Sequence, residues 1–161
     1  MEKKGKKLYN GVNEFNLIKI LNEKNIKISV AESCTGGMLS EKITAIPGAS
    51  KVFYEGVVTY SNASKISRLG VKSETIEKYG AVSRETALEM VKGLTTEIGI
   101  SITGFAGPGG GDETNPVGTV FIGIKKESQI EVFHYIFSGD REEIRKSCVE
   151  RALIEVIKLL K

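Results

Sequence analysis

The chain of 161 residues has no tryptophan, one histidine, two cysteines and three prolines. Each shortage removes a class of answer. Cys34 and Cys148 are far apart and neither belongs to a CxxC pair, so with His134 as the lone imidazole an ordinary His/Cys zinc site lacks ligands. No zinc site of that kind is therefore expected, and no cofactor is expected either. His134 lies in the strand-like run IEVFHYIF, where a structural or surface role is expected rather than a catalytic one. No apolar run approaches the roughly 18–20 residues that cross a bilayer, so no membrane partner is expected. Net charge is only +3, and lysines stand beside glutamates, as in EKNIK and DREEIRK. Without a concentrated basic face or stacking aromatics, nucleic acid is not an expected partner. A small anionic ligand stays open, because one phosphate needs only a local site. The basic opening, residues 1–12, has no apolar stretch behind it and reads as a solvated tail rather than a secretory signal. Two lone thiols in such a chain point to a reducing cytoplasm.

What is present is the composition of one globular domain, 40% hydrophobic and 27% charged, and residues 13–161 read as a single domain with a real core. Helical spacing of Phe15, Leu17, Ile18 and Leu21 predicts a helix over 13–24. A β-rich run over 26–32 follows, then a helix over 36–46 stopped at Pro47–Gly48. Residues 51–60 read as a strand, and 61–70 as a short helix capped by Ser61 or Asn62 and ended by Gly70. Ser73 and Ser83 are expected N-caps of helices over 74–80 and 84–99. A strand over 99–103, a glycine-rich loop over 104–116, a hairpin over 117–137 and a long amphipathic helix over 140–160 complete the chain. Early β/α alternation argues for parallel strands and the late hairpin for an antiparallel one. The expected fold is α/β: a three-layer α/β/α sandwich on a mixed, roughly five-stranded sheet. Ligands in such sheets collect at strand ends, where the two glycine-rich loops fall.

The first loop, ESCTGG, runs from a strand into a helix. Gly36 and Gly37 allow close backbone approach, and the N–H groups of a helix start can hold an anion or a developing oxyanion. Ser33 and Thr35 fit two roles, chemistry or helix capping. A serine nucleophile needs a base, and a neutral lysine is the solution that does not require histidine. TYSNASK, residues 59–65, places Lys65 in the first turn of a helix just after Tyr60. A cation is disfavoured there, which lowers a lysine pKa, and burial lowers it further. The ordinary alternative is a solvated lysine. Cys34 is a competing nucleophile or a small packed side chain. In the second loop, TGFAGPGGG, Thr103 offers a hydroxyl, and Gly104, Ala106 and Gly107 offer backbone N–H groups for a phosphate or carboxylate nest; a lid or plain loop is the alternative. Arg141 and Arg145 share one helix face and fit either a phosphate or ion pairs with nearby acids.

Taken together and in this order, AESCTGG, GVVTYSNASK, YGAVSRET, TGFAGPGGG, NPVGTVFIGI and FSGDREEIR resemble the C-terminal domain of the CinA family of competence/damage-inducible proteins. Bacterial nicotinamide-mononucleotide deamidases belong to that family. The resemblance runs from about residue 13 to the end. It implies a three-layer α/β/α domain that hydrolyses the carboxamide of nicotinamide mononucleotide (NMN) to nicotinic acid mononucleotide and ammonia, without a metal. Carried over by motif, it implies Ser33 as nucleophile with Lys65 and Tyr60 as its base pair. The oxyanion and substrate are then expected at Thr35, Gly36, Gly37, Thr103, Gly104, Ala106, Gly107 and Arg145. A homodimer is a family-level expectation. Many relatives carry a further N-terminal domain resembling molybdopterin-binding proteins, whose activity is not expected of residues 13–161. Two alternatives stand beside the amidohydrolase: a non-catalytic nucleotide-binding module, and a partner protein in competence or DNA damage.

Overall fold

β1 (Ile28–Glu32) is buried at every position. A strand covered on both faces carries a near-continuous apolar run, the mark of a central parallel strand. It pairs in parallel with β2 (Phe53–Val58) on one side and β3 (Ile98–Gly104) on the other. β4 (Thr119–Lys126) and β5 (Gln129–Ile136) form the expected hairpin, with β4 antiparallel to β3. The sheet order is β2-β1-β3-β4-β5. The computed structural model describes residues 12–161, so the expected basic tail lies, up to residue 11, outside the described residues.

Helices α1 (Val12–Lys24), α2 (Met38–Thr44) and α6 (Arg141–Leu160) pack on one face of the sheet. Their core joins Leu17, Leu21, Leu39, Ile144 and Cys148 to Ile28, Val30, Ile100, Ile102 and Ile122. On the other face lie α3 (Asn62–Leu69), α4 (Ser73–Tyr79) and α5 (Arg84–Lys92). Here Leu69, Met90 and Val91 close over Ala31 and Val57. The mixed five-stranded sheet between two helical layers is the architecture the sequence predicts. Among the described residues no helix is long and apolar enough to cross a membrane.

The helix expected over 36–46 is shorter at both ends, Met38–Thr44, and two further boundaries differ from expectation. The helix expected over 84–99 ends at Lys92. A Cβ on Gly93 would lie 2.2 Å from the carbonyl oxygen of Leu69, so the chain crosses the end of α3 here and turns into β3. Ser73 is not an N-cap: α4 starts on Ser73 itself, with Lys72 before it and no side-chain cap bond from that residue. Glu89 of α5 instead ties this start down from outside, accepting from the Lys72 N–H at 2.7 Å and the Thr75 hydroxyl at 2.6 Å. Ser61 and Ser83 do cap α3 and α5, accepting from Ser64 and Thr86 N–H.

Candidate active site

Three strand ends meet where the two glycine-rich loops leave the sheet. Glu32, the last residue of β1, is wholly buried. Its Oε1 accepts from the Thr35 hydroxyl at 2.7 Å and the Leu39 N–H at 2.8 Å; its Oε2 accepts from the Ser40 N–H at 3.0 Å and the Ser40 hydroxyl at 2.8 Å. A helix start attracts an anion, and at α2 that anion is the protein's own. This revises the sequence reading of ESCTGG. Neither Ser33 nor Thr35 is the N-cap of α2; that position is Gly37, without a side-chain bond. The N–H groups of Leu39 and Ser40 are committed to Glu32. Gly36 and Gly37 have φ of +57° and +105°, a tight turn that side-chain-bearing residues rarely make.

With Thr35 and the helix start taken by Glu32, Ser33 is left to face the other way. Its N–H donates to Ile102 on β3 at 3.0 Å, and its hydroxyl meets the Lys65 amine at 3.1 Å. Lys65 is 1% exposed. Its Nζ also donates to the carbonyl of Thr59 at 2.8 Å and that of Tyr60 at 3.2 Å. Among the described residues no carboxylate lies within salt-bridge reach of it. Burial pushes the amine below its ordinary range, and the nearby Cys34 thiol pushes back only in part.

Tyr60 reaches Lys65 through its main chain. Tyr60 as a whole is 59% exposed, and its phenol oxygen accepts from Arg141 at 3.2 Å. The same guanidinium donates to the Gly107 carbonyl at 2.7 Å, tying the second glycine-rich loop to the end of β2. Arg145, one turn along α6, donates through Nε to the Cys34 carbonyl at 3.0 Å and through a terminal nitrogen to the Thr35 carbonyl at 2.9 Å. Ion pairs with nearby acids are therefore not what these arginines make; among the described residues both hold loop carbonyls. Thr103 is buried and donates to the Ala81 carbonyl at 2.8 Å. Gly104 packs on β4, where a Cβ would meet Val120 at 2.7 Å. Ala106 is buried in the larger core.

Cys34 and Cys148 both lie in that core. The Cys148 thiol beside it pulls the Cys34 thiol down more than burial pushes it up, with Arg145 and Lys65 adding to the lowering; Cys148 is pushed well up. His134 stacks on Phe121 at 4.5 Å on the far edge strand. Among the described residues no three His, Cys, Asp or Glu side chains cluster as metal ligands. Sequence reasoning missed the Glu32 cap and the arginine braces. A strand ending in Glu, followed by a helix with no side-chain cap of its own, was the available signal for the first.

A family model for the CinA C-terminal domain matches residues 13–160. A CinA-like protein of Fusobacterium nucleatum is 50% identical over 168 residues, covering 96% of this chain and 42% of that protein. The chain thus spans less than half the length of this relative. The crystal structure of a competence/damage inducible protein, CihA, of Agrobacterium tumefaciens superposes with a TM-score of 0.88 at 37% identity, covering 94% of this chain and 95% of that one. That of a competence or damage-inducible protein of Enterobacter asburiae gives 0.90 at 33% identity, covering 94% and 98%.

Proposed function

The chain belongs to the CinA C-terminal domain family, and on that footing we propose that it is a serine amidohydrolase acting on the carboxamide of nicotinamide mononucleotide. The observation that supports this reading is the set of three contacts around Lys65 Nζ. A neutral amine has two N–H bonds and one lone pair. The carbonyls of Thr59 and Tyr60 take the two N–H bonds, and the lone pair is left for the Ser33 O–H. Burial without a carboxylate partner favours that neutral form.

In the proposed cycle Lys65 accepts the Ser33 proton as Ser33 Oγ adds to the amide carbon. The Gly36 N–H already closes on the Ser33 carbonyl at 3.0 Å, so the N–H groups of Thr35 and Gly37 are the oxyanion donors we assign. The tetrahedral adduct collapses, the amide nitrogen takes the proton from Lys65, and ammonia leaves. Water then cleaves the Ser33 ester, with Lys65 again accepting and returning a proton. Arg145 and Arg141 brace the loops on either side and bring positive charge to the end of the site where a nucleotide phosphate would sit.

Ammonia release from NMN by wild type and by Ser33→Ala tests the assignment. Wild-type release that falls roughly ten-thousand-fold or more in Ser33→Ala is expected. No release from folded wild type overturns the NMN assignment, and nucleotide binding without ammonia would mark a binding module instead.

A further inference from the structure

Thr59 uses its backbone twice at the site. Its N–H donates to the Glu32 carbonyl at 2.9 Å, and its own carbonyl accepts from Lys65. Its side chain is 1% exposed, yet its hydroxyl has no hydrogen-bond partner among the described residues. Buried hydroxyls are seldom left in that state, and one that is calls for an explanation.

The strand register says where this hydroxyl stands. Ala31 pairs with Val57 on β2 and with Ser101 on β3. The ladder continues past the strand ends through Thr59 N–H to Glu32 and Ser33 N–H to Ile102. Two residues beyond Ala31, Val57 and Ser101, Ser33 falls between Thr59 and Thr103, with Ser33 and Thr59 each one residue past its strand and Thr103 still on β3. Side chains alternate along a strand, so these three residues share the sheet face that Ala31 and Val57 present to the α3–α5 layer. Adjacent strands lie about 4.8 Å apart, which makes a short row of hydroxyls with Ser33 in the middle. Thr103, on one flank, is committed to the Ala81 carbonyl. Thr59, on the Lys65 flank, is not committed.

We propose that the Thr59 hydroxyl positions the water that hydrolyses the acyl-Ser33 ester; this rests on the acyl-enzyme reading above. With Lys65 neutral, as proposed above, the Nζ–Oγ contact of the free protein runs from the Ser33 O–H to the Lys65 lone pair. Acylation consumes that proton and leaves the lone pair without a partner. A water between Lys65 and Thr59 restores the balance, giving one O–H to Lys65 Nζ and the other to Thr59 Oγ1. Its oxygen then adds to the ester carbon as Lys65 takes the first proton. The bond to Ser33 Oγ breaks, Lys65 returns the proton to Ser33, and the carboxylic acid leaves. Thr59 is thus a positioning residue for the second half of the cycle.

The test compares wild type, Thr59→Val and Thr59→Ser in the full chain, with NMN and with p-nitrophenyl acetate as a generic acyl donor. Thr59→Val is expected to keep the p-nitrophenolate burst while steady-state turnover falls about tenfold or more and acetyl-Ser33 accumulates by intact-protein mass. Thr59→Ser is expected to deacylate within a few-fold of wild type. Because the lost hydroxyl had no partner, Thr59→Val is also expected to melt no lower than wild type. Thr59→Ala is the second variant should valine not fold. Wild-type deacylation rates in both variants overturn the proposal, and so does parallel loss of burst and turnover in a folded variant. A wild-type burst absent, or unchanged in Ser33→Ala, marks failure of the acyl-enzyme reading itself, and the water site falls with it.

Discussion

The amine of Lys65 and the hydroxyl of Ser33 lie 3.1 Å apart across 32 residues of sequence. One stands in the first turn of α3 and the other one residue past the end of β1. The contact forms because α3 starts directly beyond β2, the parallel neighbour of β1.

The protonation of Lys65 sets a pH dependence with a definite sign. Burial disfavours its charged form, so kcat/KM should rise with pH along a limb that reports Lys65 losing its proton and level off below the ordinary lysine range. The same shift links to stability. Between the folded and unfolded pKa values the unfolded chain binds more protons, so stability rises with pH through that window. Denaturant melts of wild type and Lys65→Met at several pH values should show wild type gaining on the variant as pH climbs. A difference that is constant with pH would mean the amine is not perturbed in the fold.

Tyr60→Phe should retain kcat within about tenfold, because Lys65 is held by the Tyr60 carbonyl, and the phenol contacts Arg141 instead. A loss of roughly a thousandfold or more, on the scale of removing a general base, would restore the sequence-based expectation that the phenol takes part in proton transfer. Steady-state ammonia release decides between them.

Glu32→Ala should destabilise the protein by roughly 3 kcal/mol or more, since four donors lose their acceptor inside the protein. Glu32→Gln keeps the shape but turns an N–H donor toward other donors, and should cost about 1–3 kcal/mol. Urea unfolding at neutral pH measures both; a neutral result for alanine would remove Glu32 as the anchor of the turn.

Arg145→Lys separates a brace from a phosphate ligand. One ammonium cannot reproduce the two-pronged hold on the Cys34 and Thr35 carbonyls. A brace predicts a fall in kcat of about tenfold with little change in KM for NMN. A rise in KM at constant kcat would instead place the nucleotide phosphate on this side chain.

Much of the site was legible because its signals are local. The Ser61 cap and the place of Lys65 in the first turn of the next helix follow from a seven-residue stretch, and so does the idea of a neutral lysine; the strand before them, expected to run to Tyr60, ends at Val58. The helix ending at Lys92 was not legible, because what stops it is the end of α3. Ser73 read as a cap for the same reason: Glu89, which holds the start of that helix, comes from another helix.

The sequence by itself determined the order of strands and helices, the glycine turn after Glu32, and the short set of side chains able to do chemistry with so few histidines and cysteines. Tertiary structure decided what each of them does. Glu32 became a cap, Arg145 reached back 110 residues to hold the Thr35 carbonyl, Tyr60 turned its phenol outward, and Lys65 was buried against two carbonyls and a serine. The physical reason is that a side chain's partners and its solvation are set by the elements packed over it. A lysine pKa or a free hydroxyl exists as a functional property only once the helices have closed on the strand ends.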